Sequence, residues 1–222
     1  MIRAVFFDLD GTLVNSIFDI AQALNTALTE LGFPVWPVDA YYRKVGNGAR
    51  MLCQRSLPPG QEAQTDALLA RYHALYLAHC REKTTPYAGI CTLLHQLKAQ
   101  GLLLAVITNK PQSQTEQVIT LLPDCFDAVF GQQPPFPVKP DPACFFHVAK
   151  TLGLRPEECL YCGDSDVDIL FAHRAGAKAI GCAWGFRGKA ELTAAGADAL
   201  AESPAELGRI IGEIRESEKE YL

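Results

Sequence analysis

Two aspartates, Asp8 and Asp10, stand one residue apart where the apolar run Ala4–Phe7 breaks into a glycine turn at Gly11. Burying two like charges a few ångströms apart disfavours ionisation of both. A chain keeps such a pair where a cation or a proton transfer uses it. Three further polar clusters follow apolar runs or open helical ones: Thr108-Asn109, Lys139-Pro140-Asp141-Pro142 and Gly163-Asp164-Ser165-Asp166-Val167-Asp168. Each has an ordinary reading when taken alone. Thr108-Asn109 would end a strand in a turn, Lys139 would be solvated, and Asp164 or Asp168 would cap the next helix. Ligands of open α/β sheets bind outside the carboxyl ends of the strands, so clusters at the same end of successive strands meet in one crevice.

The elements that must position these residues are legible from periodicity. Short apolar runs alternate with helical patterns, which predicts an α/β fold: a parallel-sheet, Rossmann-like core with helices on both faces. Strands are expected over 4–8, 103–108, 128–130, 159–163, 179–182 and 199–200. Helices are expected over 90–100, 112–121, 143–152, 167–175, 189–194 and 205–215, with Gly101, Gly153 and Gly176 at C-cap positions. The stretch 15–84 has a different texture, with helical periodicity over 17–31, 48–57 and 61–80 and no convincing strand. It is too long for a loop and reads as an inserted helical cap (15–84) in a core made of 1–14 and 85–222. Its linkers fall at 14–16 and 82–87, and the charged tail 213–222 reads as a solvated, fraying helix end.

The 222 residues suffice for one large domain with an insert. A net charge of −5 argues against nonspecific binding to nucleic acid or to an anionic membrane. No segment approaches the ~18 apolar residues of a membrane span. The apolar residues before Asp8 are too few for a signal-peptide core, so a cytoplasmic protein, monomer or homodimer, is expected. Eight cysteines in such a chain are expected as reduced thiols. Cys159 and Cys162 have metal-site spacing, but on a strand they point to opposite faces and no second pair completes a zinc site. His73, His79, His95, His147 and His173 form no ligand spacing with one another.

Taken together, Asp8-Leu9-Asp10-Gly11-Thr12-Leu13, Thr108, Lys139 and the 163–168 acidic motif resemble the haloacid dehalogenase-like superfamily over the whole chain, helical cap included. The resemblance implies a Mg²⁺-dependent phosphomonoester hydrolase working through an aspartyl-phosphate. Asp8 and Asp164 would give carboxylate oxygens to the metal and Asp10 its backbone carbonyl, with Asp168 as an outer ligand. Asp8 would attack phosphorus, and Asp10 would protonate the leaving alkoxide and then activate water. Thr108 and Lys139 would stabilise the phosphoryl oxygens, with a further hydrogen bond from Asn109. The physics agrees: a carboxylate facing a phosphate meets roughly 4 kcal/mol of repulsion per unit charge pair at 4 Å and an effective dielectric of 20. A divalent cation offsets that repulsion, and hard oxygen donors suit Mg²⁺.

Asp10 also narrows the reaction class. Halide needs no proton to depart, so an aspartate two residues after the nucleophile disfavours dehalogenation. The absence of lysine from 17–31 disfavours a phosphonoacetaldehyde hydrolase, which needs a Schiff-base lysine early in its cap. The segment Val45-Gly46-Asn47-Gly48-Ala49-Arg50 resembles the cap segment of phosphoglycolate phosphatases. Gly46 would let the backbone approach an anion and Arg50 would pair with a small carboxylate; a plain helix-start loop with surface cations is the bland reading. Two departures stand out. Asn15 replaces an aspartate found in many of these phosphatases, and Trp184-Gly185-Phe186-Arg187-Gly188 matches their glycine-rich loop only loosely, leaving Arg187 either at the substrate or exposed. A small phosphorylated acid, phosphoglycolate first, is the expected substrate. A hexose-phosphate mutase and a phosphate-binding module without turnover are the alternatives.

Overall fold

The computed structural model describes residues 1–219. Six strands form one parallel sheet: β1 (Ala4–Phe7), β4 (Leu103–Pro111), β5 (Ala128–Gln132), β6 (Cys159–Gly163), β7 (Lys178–Cys182) and β8 (Ala199–Ala201). Their spatial order is β5-β4-β1-β6-β7-β8. The period-2 alternation of each strand divides the core in two. Val5, Phe7, Leu104, Val106, Leu160, Cys162 and Ile180 face one cluster. Ala4, Phe6, Ala105, Ile107, Cys159, Tyr161 and Ala179 face the other.

Helices cover both faces. Helices α4 (Ile90–Ala99) and α9 (Pro204–Lys219) close the first cluster through Leu94, Leu97, Leu207 and Ile211. Helices α6 (Ala143–Thr151), α7 (Asp166–Ala175) and α8 (Gly188–Ala194) close the second through Phe145, Val148, Phe171 and Leu192. Cys159 and Cys162 therefore lie on opposite sides of the sheet, and all eight cysteines are free thiols.

Phe7 pairs with both Val106 of β4 and Cys162 of β6. That register puts Asp8 at the sheet's rim between the ends of its two neighbours, and the Asp8 N–H donates to the Cys162 carbonyl at 2.9 Å.

Between β1 and β4 the chain makes the helices α1 (Ile17–Glu30), α2 (Gly48–Gln54) and α3 (Thr65–His79), with a 3₁₀ turn at Val38–Arg43. Three local expectations are corrected. Helix α2 stops at Gln54, short of 57, because Pro58-Pro59 follows and a residue before proline avoids the helical region. The expected helix 61–80 is a 3₁₀ turn, Glu62–Gln64, followed by α3. The presumed linkers pair with each other as a two-stranded antiparallel ribbon, β2 (Val14–Asn15) and β3 (Thr85–Pro86). Two residues a side carry no strand-length pattern, so both read as plain connections. Helix α5 (Gln112–Val118) ends in a 3₁₀ turn, and α9 carries the charged tail on as helix to Lys219; the rest of that tail, 220–222, lies outside the described residues. Among the described residues no helix is long and apolar enough to cross a membrane.

Candidate active site

The four polar clusters meet at the carboxyl ends of β1, β4 and β6. One carboxylate oxygen from each of Asp8, Asp164 and Asp168 lies within 4.8 Å of the others, and all three residues are buried. Local backbone makes this crowding feasible. A Cβ on Gly11 or Gly185 would run into the Asp164 carboxylate, and one on Gly163 into Asp168, so only glycine lets the chain pass so close. Asp164 is held by the Phe186 N–H at 2.7 Å and the Thr12 hydroxyl at 3.3 Å. Asp168 accepts from the Ser165 hydroxyl at 2.6 Å and backbone N–H at 3.1 Å, which also caps α7.

Lys139 is buried in the middle of this acid group. Its Nζ lies 2.6 Å from Asp168 Oδ1 and 3.0 Å from Asp8 Oδ1, and it donates to the Tyr161 hydroxyl at 2.8 Å. Burial alone would lower the lysine pKa, but Asp168 and Asp8 outweigh it and raise it. The anions are not fully compensated. Burial, reinforced by Asp168 and Asp10, pushes Asp8 up to about 6 despite Lys139 and the Thr108 hydroxyl. Burial and the neighbours Asp168 and Asp8 likewise raise Asp164 far above the usual carboxylate range. Asp8 Oδ1 is buried without an aligned hydrogen bond; the nearby ammonium approaches as an ion pair only. A close trio of buried hard oxygens, short of positive charge, fits a divalent cation.

Asp10 is turned away from the trio. Its carboxylate accepts from the Ser16 hydroxyl at 2.6 Å and from Lys110 Nζ at 2.7 and 3.0 Å. Lys110, buried to 3 % side-chain exposure, also donates to the Tyr76 hydroxyl on α3 at 2.7 Å. Sequence reasoning missed Lys110, since one lysine after a turn reads as solvated; its adjacency to Thr108-Asn109 was the available signal.

Asp8, Asp10, Lys110 and Asp164 line a cavity between the sheet's rim and the inserted helices, together with Ile20, Gly46, Leu52, Tyr72, Gln114 and Arg187. Thr108 and Asn109 line it too, but the Asn109 side chain is committed to backbone. It donates to the carbonyls of Gly46 (3.0 Å) and Lys139 (3.1 Å), and its oxygen accepts from the Lys139 N–H at 2.7 Å. Gly46, at φ +120°, is thereby tied to the core. Arg50 is not brought in: it is more than half exposed and ion-paired with Asp66 at 2.6 Å. The helix that begins at Gly48 carries its third residue outward. Arg187 lines the cavity instead, with its side chain 12 % exposed and its Nη2 donating to the Val45 carbonyl at 2.8 Å.

Comparison with known proteins agrees with this geometry. Residues 5–182 match the family model of haloacid dehalogenase-like hydrolases. The chain is 34% identical over 219 residues to a phosphoglycolate phosphatase of Mannheimia succiniciproducens, covering 94% of this chain and 98% of the relative. It is 36% identical over 191 residues to one of Pseudomonas putida, covering 83% and 70%. A solved haloacid dehalogenase-like hydrolase of Streptococcus pneumoniae superposes with a TM-score of 0.86 at 28% identity, covering 95% of this chain and 98% of that one.

Proposed function

The chain belongs to the haloacid dehalogenase-like hydrolase family and is a phosphoric monoester hydrolase; from that premise we propose that it hydrolyses 2-phosphoglycolate to glycolate and phosphate, with Mg²⁺ as its metal. The observation that carries the reading is the uncompensated trio Asp8, Asp164 and Asp168, of which Asp8 and Asp164 line a cavity that also holds Asp10 while Asp168 stands behind them. When bound there, Mg²⁺ would offset the repulsion between phosphate and carboxylates. Asp8 and Asp164 would hold it by carboxylate oxygens and Asp10 by its backbone carbonyl, with Asp168 behind them.

Asp8 attacks phosphorus and takes the phosphoryl group as an aspartyl-phosphate. Asp10 gives its proton to the departing glycolate oxygen, then removes one from the water that hydrolyses the intermediate. Ser16 and Lys110 hold the Asp10 carboxylate beside the cavity before it turns to the leaving oxygen. Lys139 and the Thr108 hydroxyl face the phosphoryl oxygens. Asn109 serves as a brace, holding Lys139 and the Gly46 loop at one spacing. Residues 15–84 act as a cap that closes over the site and keeps bulk water out during attack.

Phosphate release from a panel of phosphomonoesters, with Mg²⁺ and with chelator, tests the proposal. The highest kcat/KM is expected for 2-phosphoglycolate with metal present. Release no greater than that of D8N would overturn phosphoryl transfer to Asp8, and a clear preference for a sugar phosphate would overturn the substrate.

A further inference from the structure

Two polar side chains of the cavity have no assignment in the chemistry above. Gln114, in the first turn of α5, is 2% exposed, and Tyr72, on α3, is 3% exposed; both line the cavity. Neither the Gln114 amide nor the Tyr72 hydroxyl has a hydrogen-bond partner among the described residues, and neither ranks with the sealed, unpaired polar atoms. Their polar atoms therefore reach the cavity itself. Two nearly buried side chains whose polar atoms open on the cavity with no partner in the protein, one from α3 and one from α5, mark a place where a ligand supplies the partner. The neighbouring cations are already engaged: Lys110 with Asp10 and Tyr76, and Arg187 with the Val45 carbonyl and, at 3.7 Å, with Glu191.

We propose that Gln114 and Tyr72 are specificity-determining residues that hydrogen-bond the oxygen group at the far end of the leaving alcohol. The amide N–H₂ and the phenol O–H are both donors, suited to a small carboxylate, and Tyr72 delivers its share from the cap while Gln114 delivers it from the core. A site built to bond a polar group rejects analogues lacking it far more strongly than an apolar pocket rejects a missing methylene. The proposal rests on the phosphoglycolate reading for the identity of that oxygen group.

The test compares kcat/KM for 2-phosphoglycolate with that for ethyl phosphate, which keeps the two-carbon frame and lacks the carboxylate. The ratio is expected to fall about ten- to a hundredfold in Q114L and less in Y72F, chiefly through KM. In Q114E it should fall further, because a like charge then faces the carboxylate. Q114E also keeps the original shape, so it carries the test if Q114L does not fold. Ratios within twofold of wild type in all folded variants, or parallel losses on both substrates, overturn the proposal. If wild type does not prefer 2-phosphoglycolate, the substrate reading fails by itself. The same ratio is then taken for the panel's best substrate against its analogue lacking the distal oxygen group, and an unchanged ratio there overturns the subsite. Absence of turnover on the whole panel overturns both.

Discussion

Asp8 is drawn two ways: Lys139 favours its anion, while burial and the carboxylates of Asp168 and Asp10 favour the acid, and the acid side prevails at about 6 against an ordinary 3.8. A carboxyl whose pKa is raised on folding holds its proton more tightly in the native state than in the unfolded chain. Its stabilising effect is complete below about pH 4 and is lost as pH rises to about 6; Asp164 acts in the same direction. The metal-free protein should therefore lose thermal stability through that window, and D8N should flatten the loss. Added Mg²⁺ should restore more stability at pH 7.5 than at pH 5, with a gain of roughly 2.7 kcal/mol at a hundredfold excess over Kd, or about 5–10 °C in Tm. Calorimetry in chelator and in Mg²⁺ reads this directly. An equal metal gain at both pH values would remove the uncompensated trio as the binding site. At this scale the sequence is informative where residue type and strand end coincide, as for Asp8 and Asp164. It is silent for Lys110 and Gln114, whose neighbours come from α3, and for Arg50, whose direction depends on where one short helix starts.

Elements were legible where their periodicity ran for several residues, as in β1, β4 and β6, whose alternation and apolar content mark them as buried strands. The ribbon of β2 and β3 was not, because its stability is borrowed from elsewhere. The Asp19 carboxylate, buried in the first turn of α1, accepts from the Lys83 N–H (3.0 Å), the Thr84 N–H (2.8 Å) and the Thr84 hydroxyl (2.6 Å). One side chain entering the inserted helices thus clamps the strand leaving them, across 64 residues of sequence. Replacing the carboxylate by an amide sets N–H groups against N–H groups and leaves buried donors unpaired, at a cost of about 1–3 kcal/mol. D19N should lower Tm by about 3–10 °C and raise KM through a looser hinge, measured by calorimetry and steady-state assay. A Tm within 1 °C of wild type would show that the ribbon holds without the clamp.

Across the whole molecule, the helical insert meets the sheet's rim over the cavity through few polar contacts. Asn109 reaches the Gly46 carbonyl, Arg187 the Val45 carbonyl and Lys110 the Tyr76 hydroxyl, while Tyr42 and Phe186 meet edge to face at 5.5 Å. Every core partner in that set either lies beside Thr108 or belongs to the 184–188 loop that bonds Asp164. Such polar contacts are individually worth only about 1 kcal/mol, but the first apolar cluster runs on from the sheet into the insert through Leu24, Leu52 and Tyr76, so parting the insert from the rim also divides that cluster while the second stays intact. Ligand at the acid trio would order the same residues that grip the insert, and closure should follow occupancy. Hydrogen exchange tests this coupling. Adding Mg²⁺ with orthophosphate should slow the amides of residues 45–48 and of the 184–188 loop by tenfold or more, while the central amides of β1, β4 and β6 change little. A uniform slowing over the whole chain would mean global stabilisation without closure, and unchanged exchange at 45–48 would mean that the insert does not respond to the site beneath it.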